Sequence, residues 1–166
     1  MKSDTIAAIA TALSDAGIGI IRISGPEAIA VANRVVVNKK KEHTLKNWQT
    51  HTIHYGFVEE NGTILDEVMV SVMKAPRSYT TEDTVEINCH GGVLLTKRVL
   101  EAVLHAGARM AEPGEFTKRA FLSGRIDLSE AEAVMDLIQA KNQFSMQASI
   151  KQLRGSVAEK VKSLRA

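Results

Sequence analysis

Cysteine is nearly absent: Cys89 is the only one in 166 residues. That excludes an intramolecular disulfide and a cysteine-rich metal site, and it suits a reducing, cytosolic setting. Aromatic residues make up only 4%, so the core must rest on Ile, Val, Leu, Ala and Met. The same scarcity leaves no aromatic platform on which nucleic-acid bases could stack. Charge of one sign is not in excess either. A formal net charge of +2 is too small to argue for nucleic-acid binding by bulk electrostatics. No apolar run approaches the roughly 20 residues of a membrane span. Asp4 and Asp15 interrupt the apolar N-terminal stretches, which is unlike a signal peptide. What remains is an ordinary globular composition, 45% hydrophobic and 24% charged. Its length fits one domain, or one domain plus an appendage.

The most informative stretch is Ser78 to Gly92, SYTTEDTVEINCHGG. From Thr84 to Cys89 it alternates strictly, with Val85, Ile87 and Cys89 on one side and Thr84, Glu86 and Asn88 on the other. That is a strand with one apolar and one polar face. His90-Gly91-Gly92 then ends the strand and Val93 opens a helix. Glu86 thus stands near a glycine turn that a ligand could approach closely. It either faces water on a half-exposed sheet or faces a ligand.

Upstream, Thr5 to Ala10 reads as a first strand and Ser14 to Gly17 as a loop. Ile18 to Ile23 is a nearly continuous apolar strand, the pattern of one covered on both faces. Arg22 interrupts it, and a guanidinium must reach water at the sheet edge or meet an anion. Ser24-Gly25-Pro26-Glu27 reads as a helix start with Ser24 as a cap candidate, followed by a buried stripe of Ile29, Ala32 and Val36. Lys39 to Lys41 is a solvated basic loop. His51 to Val58 and Ile64 to Met73 are strands joined through Asn61-Gly62, a strong hairpin signal. His51 and His54 are not spaced to chelate, and no metal site is expected.

Beyond Val93, Leu95, Val99, Ala102, Val103 and Ala106 form a helical stripe that Gly107 stops, and Ala108 to Ala111 is a short last strand. This pattern predicts an α+β fold, a mixed β-sheet with packed helices. From Pro113 the character changes. Pro113 to Gly124 is a short helix, Ser129-x-x-Glu132 matches a capping box, and almost every residue from there to Ala166 tolerates a helix. One continuous helix would run roughly 55 Å at ~1.5 Å per residue, with Gly155 its weak point. Val134, Leu137, Ile138, Ile150, Leu153, Val157, Val161 and Leu164 would form a stripe with nothing in this sequence to cover it. A partner chain or further polypeptide is expected there.

DTIAAIAT, GIGIIRISGPEA, SYTTEDTVEINCHGG and PGEFTKRAFLSGRIDLSEAEAVMDLI, in this order and spacing, resemble the N-terminal part of the bacterial tRNA-modification GTPases called MnmE or TrmE. The resemblance runs over essentially the whole chain. It implies an α+β domain similar to the folate-binding domain of glycine-cleavage T-protein, over residues 1–120, followed by the start of an all-helical domain over residues 121–166. In that family the first domain binds 5-formyltetrahydrofolate or a related tetrahydrofolate and pairs with its copy in a homodimer. The resemblance carries three folate-binding positions onto this chain: Arg22, Glu86 and Arg125. A carboxylate can accept the two hydrogen bonds that a pterin edge donates, and guanidinium groups grip the carboxylates at the other end of a folate.

The family's intact proteins also use GTP, Mg and K. No G-x-x-x-x-G-K-[ST] and no N-K-x-D occurs here, so the chain is expected to be a part of such a protein that lacks the GTPase domain and does not hydrolyse GTP. Cys89 does not match the family's C-terminal cysteine motif, and no catalytic residue is expected in this segment. By the same resemblance, the folate supplies a one-carbon unit to the wobble uridine (U34) of certain tRNAs, in the cytoplasm, together with the flavoprotein MnmG (GidA). Two other readings compete. One is a structural dimerisation scaffold without folate binding. The other is direct RNA binding through Lys39–Lys41 and Arg119, which the missing aromatic platform disfavours.

Overall fold

The computed structural model describes residues 4–139 and 143–154. The chain divides into two compact units, one ending at Pro113 and the other beginning at Gly114. The first is an α+β unit. Its strands are β1 (Ile6–Ile9), β2 (Ile18–Ser24), β3 (Val36–Val37), β4 (Thr52–Glu60), β5 (Thr63–Met73), β6 (Thr84–His90) and β7 (Arg109–Met110). They form one mixed sheet in the order β3-β4-β5-β6-β2-β1-β7, in which only the β1–β7 pair is parallel.

Helices α1 (Ala28–Val35) and α2 (Val93–His105) cover one face. The alternation of the strands puts Ile21, Ile23, Val70, Val72, Val85 and Ile87 under them, all fully buried. The β4–β5 hairpin turns at Asn61 and Gly62, both with positive φ (52° and 78°), as the Asn-Gly signal predicts. Past the turn the register shifts between Val58 and Glu59, so Leu65 is left unpaired in the ladder and Asp66 pairs with Val58.

Three expectations about this unit need correction. β2 is not covered on both faces: Gly19, Ile21 and Ile23 are buried, whereas Ile18 is 60% exposed and Ile20 and Arg22 are half-buried. Its apolar run belongs partly to an open sheet face. Ser24 does not cap α1; it is the last residue of β2, and Glu27 N–H donates instead to Thr5 Oγ1 at 2.8 Å. The buried stripe of α1 is Ala28, Val31, Ala32 and Val35, one residue out of step with the predicted one, because the helix starts at Ala28 and Val36 already belongs to β3.

The second unit holds α3 (Glu115–Leu122), α4 (Leu128–Gln139) and α5 (Gln143–Leu153). The helix-tolerant stretch does not form one continuous helix over its described residues. Gln152 Nε2 donates to the Ser129 carbonyl at 3.1 Å and to its Oγ at 2.9 Å, residues that a straight helix would hold roughly 35 Å apart. α4 and α5 therefore fold back on each other, burying Ala133 and Ser149. The N-cap of α4 is Asp127, whose Oδ1 accepts from Glu130 N–H at 2.8 Å. Ser129 lies inside the helix, so the predicted capping box does not form. Ile138 is 74% exposed, and Val157, Val161 and Leu164 of the predicted stripe lie outside the described residues, as does Gly155.

Candidate functional site

The face of the sheet away from α1 and α2 carries the site. Cross-strand register lines up Ile53 of β4, Ser71 of β5, Glu86 of β6 and Arg22 of β2 in one row. In that row Arg22 Nε donates to Glu86 Oε1 at 2.9 Å, with about a third and a quarter of the two side chains exposed. The anion that Arg22 needs is supplied by its neighbour on the next strand, so the pair has a structural role of its own. A carboxylate offers about four lone-pair positions, and one Nε–H takes one of them. Glu86 retains the capacity for a two-donor contact from a ligand.

The next rows along the strands are Tyr55, Met69, Asn88 and Ile20, then Phe57 and Glu67 across β4 and β5 and, on the other side, His90 and Ile18 across β6 and β2. Gly17, Ile18, Tyr55, Glu67, Met69, Asn88 and His90 help line a cavity of about 330 Å³. Among the described residues Asn88 Oδ1 is buried without a hydrogen-bond partner, an unfavourable state worth about 1–3 kcal/mol. Tyr55 Oη donates to Glu67 Oε1 at 2.6 Å, which pushes the Tyr55 phenol up from its ordinary value.

At the end of β6, just past the last β5–β6 ladder pair (Met69 with Asn88), Asp66 takes over the pairing. Its Oδ2 accepts the His90 backbone N–H at 2.8 Å and its Oδ1 faces His90 Nδ1 at 2.8 Å. A carboxylate only accepts, so Nδ1 carries the proton and Nε2 is turned outward. The hydrogen bond to Asp66, followed by the charges of Asp66 and Glu67, raises the His90 pKa above its ordinary value.

Two borders close the site. At one end, Ser24 Oγ donates to Glu82 Oε2 at 2.8 Å and meets Thr80 Oγ1 at 2.7 Å, which fixes the loop before β6 over the end of β2. Thr81 in that loop has φ 66°, a left-handed conformation that a β-branched residue rarely adopts. At the other end stands the glycine turn. A Cβ on Gly91 would lie 1.5 Å from the Ala16 carbonyl oxygen, and Gly91 N–H donates to the Gly17 carbonyl at 3.1 Å. The close approach expected at this turn is thus made by the chain's own loop, which carries Gly17 and Ile18 to the cavity.

Of the three positions named from sequence, Arg22 and Glu86 come together. Arg125 belongs to the second unit, exposed on the turn after α3, where its N–H donates to the Ala120 carbonyl at 3.0 Å. Sequence reading missed His90, Asp66 and the cavity. His90 continues the alternation of Glu86 and Asn88, so extending the period by one step would have included it. Asp66 had no such signal, because its position depends on the bulge at Leu65. Among the described residues no three His, Cys, Asp or Glu side chains group as metal ligands. None of the helices described is long and apolar enough to cross a membrane.

The family model described as the GTP-binding protein TrmE N-terminus matches residues 5–125. The chain is 61% identical over 165 residues to the tRNA modification GTPase MnmE of Lachnoclostridium phytofermentans, covering 99% of this chain and 36% of the relative. It is 54% identical over 165 residues to the protein of the same name from Listeria welshimeri (99% and 35% covered) and 55% identical over 162 residues to that of Streptococcus thermophilus (98% and 35% covered). The chain spans about a third of the length of these curated relatives.

Proposed function

The chain belongs to the family described as the GTP-binding protein TrmE N-terminus, and from that premise we propose that it is the tetrahydrofolate-binding, self-associating module of a tRNA-modifying GTPase. The observation that carries this reading is the Arg22–Glu86 pair on an open sheet face, one row from a cavity of about 330 Å³. The residues fit a reduced pterin. Glu86 accepts from the donor edge of the ring while Arg22 fixes the orientation of its carboxylate, so Arg22 acts mainly through Glu86. Ile18, Met69 and Tyr55 supply apolar walls. Arg125, which belongs to the second unit, is kept as a folate-binding position on the family resemblance alone, and a guanidinium is a chemical match for a folate carboxylate.

The bound folate would supply a one-carbon unit for U34 of tRNA, in concert with the flavoprotein MnmG and in the cytoplasm. GTP, Mg and K would be handled by parts of the protein for which this chain carries no motif. Self-association has its own support. Ile53 and Ile18 are 64% and 60% exposed on the open face, and Tyr55 and Met69 lie between them, a patch that favours a second copy. The same patch is what a scaffold without folate binding would show.

Calorimetric titration of 5-formyltetrahydrofolate, beside tRNA at two salt concentrations, tests the reading. Saturable folate binding is expected, weakened by salt far less than a polyanion contact would be, and binding of tRNA alone would contradict it. Sedimentation should give a dimer at micromolar concentration, and a monomer across a hundredfold dilution series would remove the self-association.

A further inference from the structure

Resting on the folate reading above, we infer that His90, clasped by Asp66, is a second polar contact of the bound ligand, donating from Nε2 to an acceptor oxygen on it. Four observations carry this. His90 continues the row of Glu86 and Asn88 along the open face and lines the cavity, with its side chain 66% exposed. Its Nδ1 is committed to Asp66 Oδ1 at 2.8 Å, which fixes the ring and directs Nε2 away from the protein. Asp66 is itself only 9% exposed in its side chain and is held by a second bond from His90 N–H, so the clasp is preorganised. Glu86 and His90 are four residues apart on one strand, roughly 13 Å, so a flat bicyclic ligand can meet both along the sheet.

The two ends of the site are chemically opposite. Glu86 accepts, whereas a protonated His90 donates. A ligand with an amine and ring N–H on one side and a carbonyl or carboxylate oxygen further along matches that polarity. The charged and titratable groups near His90 are Asp66 and Glu67 of β5 and Tyr55 of β4, which hydrogen-bonds Glu67. Gly17 and Ile18 add no charge. Asp66 and Glu67 both favour the protonated imidazole, and an acceptor oxygen at Nε2 would favour it further. Ligand binding is therefore coupled to proton uptake by His90 once the pH exceeds its pKa.

The test is calorimetric titration of 5-formyltetrahydrofolate between about pH 6 and pH 9, across the range in which a perturbed histidine titrates. Each variant is melted alongside, and the His90 ring proton is followed by NMR with and without ligand. The affinity of the parent should fall by up to about tenfold per pH unit above the His90 pKa, and the ligand should raise that pKa. His90→Gln, which keeps the backbone N–H to Asp66 and carries an amide that does not titrate, should flatten the profile. Glu86→Gln should weaken binding at every pH and keep the slope. A His90→Gln profile parallel to that of the parent, or a ligand that leaves the His90 pKa unmoved, overturns the inference while the Glu86 reading stands. No binding by the parent at any pH overturns both.

Discussion

Glu86 and Ile87 are neighbours on β6 and have opposite lives. Ile87 is fully buried beneath the helices, among Val70, Val85 and Ile21. Glu86 faces the open side, paired with Arg22, with about a quarter of its side chain exposed. One face of the sheet is therefore a core, where volume matters. The other is a surface, where donor and acceptor placement matters. A one-residue shift of register would exchange the two, so the strand's alternation specifies the fold and the candidate site together.

The contrast can be broken first on the covered face. Ile87→Ala removes a fully buried side chain from a packed core and is expected to cost about 2–5 kcal/mol, read as a large fall in the denaturant midpoint. A loss below about 1 kcal/mol would mean that the helices do not close over the sheet as described.

A smaller effect of opposite sign is expected at the border of the open face. Thr81 pays for a left-handed backbone at φ 66°, a cost of about 1–2 kcal/mol for a residue with a Cβ. Gly there loses more chain entropy, about 0.5–1 kcal/mol. Thr81→Gly should therefore stabilise the protein by up to about 1 kcal/mol in the same measurement, and a clear destabilisation would show that the Thr81 side chain holds the loop.

The smallest effects concern pH, and they separate two places in the first unit. His90 has a raised pKa, so the folded state holds its proton more tightly than the unfolded chain. The stability this contributes is full below about 6.5 and is lost as the pH rises through the raised value. Glu60, at the end of β4, has a pKa lowered chiefly by its hydrogen bond to Arg98 at 2.8 Å and also by His105. Its contribution is full above about 4.5 and is lost as the pH falls through the lowered value. Melting curves across pH should show both shoulders. Asp66→Asn should remove the alkaline one alone, and Glu60→Gln the acidic one alone.

Much of this was legible in the sequence. The alternation from Thr84 to Cys89 marked both faces of β6, and Asn61-Gly62 marked the hairpin. Arg22 was legible as a misfit, because a guanidinium inside an apolar run demands an anion. That its anion is Glu86 depended on the pairing of strands 64 residues apart, which no local pattern contains. The tertiary partners were hidden for the same reason. Thr5, not Ser24, serves the start of α1, and Ser24 instead binds Thr80 and Glu82. The helical end misled because helix tolerance is a weak signal. Nothing in the composition near Gln139 announces that α5 folds back on α4, and the Gln152–Ser129 bonds that hold the fold-back are tertiary.

The most direct test of the two-faced account takes Glu86→Gln and Ile87→Val side by side, each titrated with 5-formyltetrahydrofolate and melted. On the proposed folate reading, Glu86→Gln puts an amine where the pterin ring also presents donors and removes a charge-assisted bond worth about 1.5–3 kcal/mol. It should weaken binding about tenfold or more and leave the melting temperature nearly unchanged. Ile87→Val should do the reverse, costing about 0.5–1.5 kcal/mol of stability with unchanged affinity per folded molecule. If Glu86→Gln binds folate as the parent does, or unfolds the domain, the carboxylate serves only as the structural partner of Arg22 and does not receive the ligand.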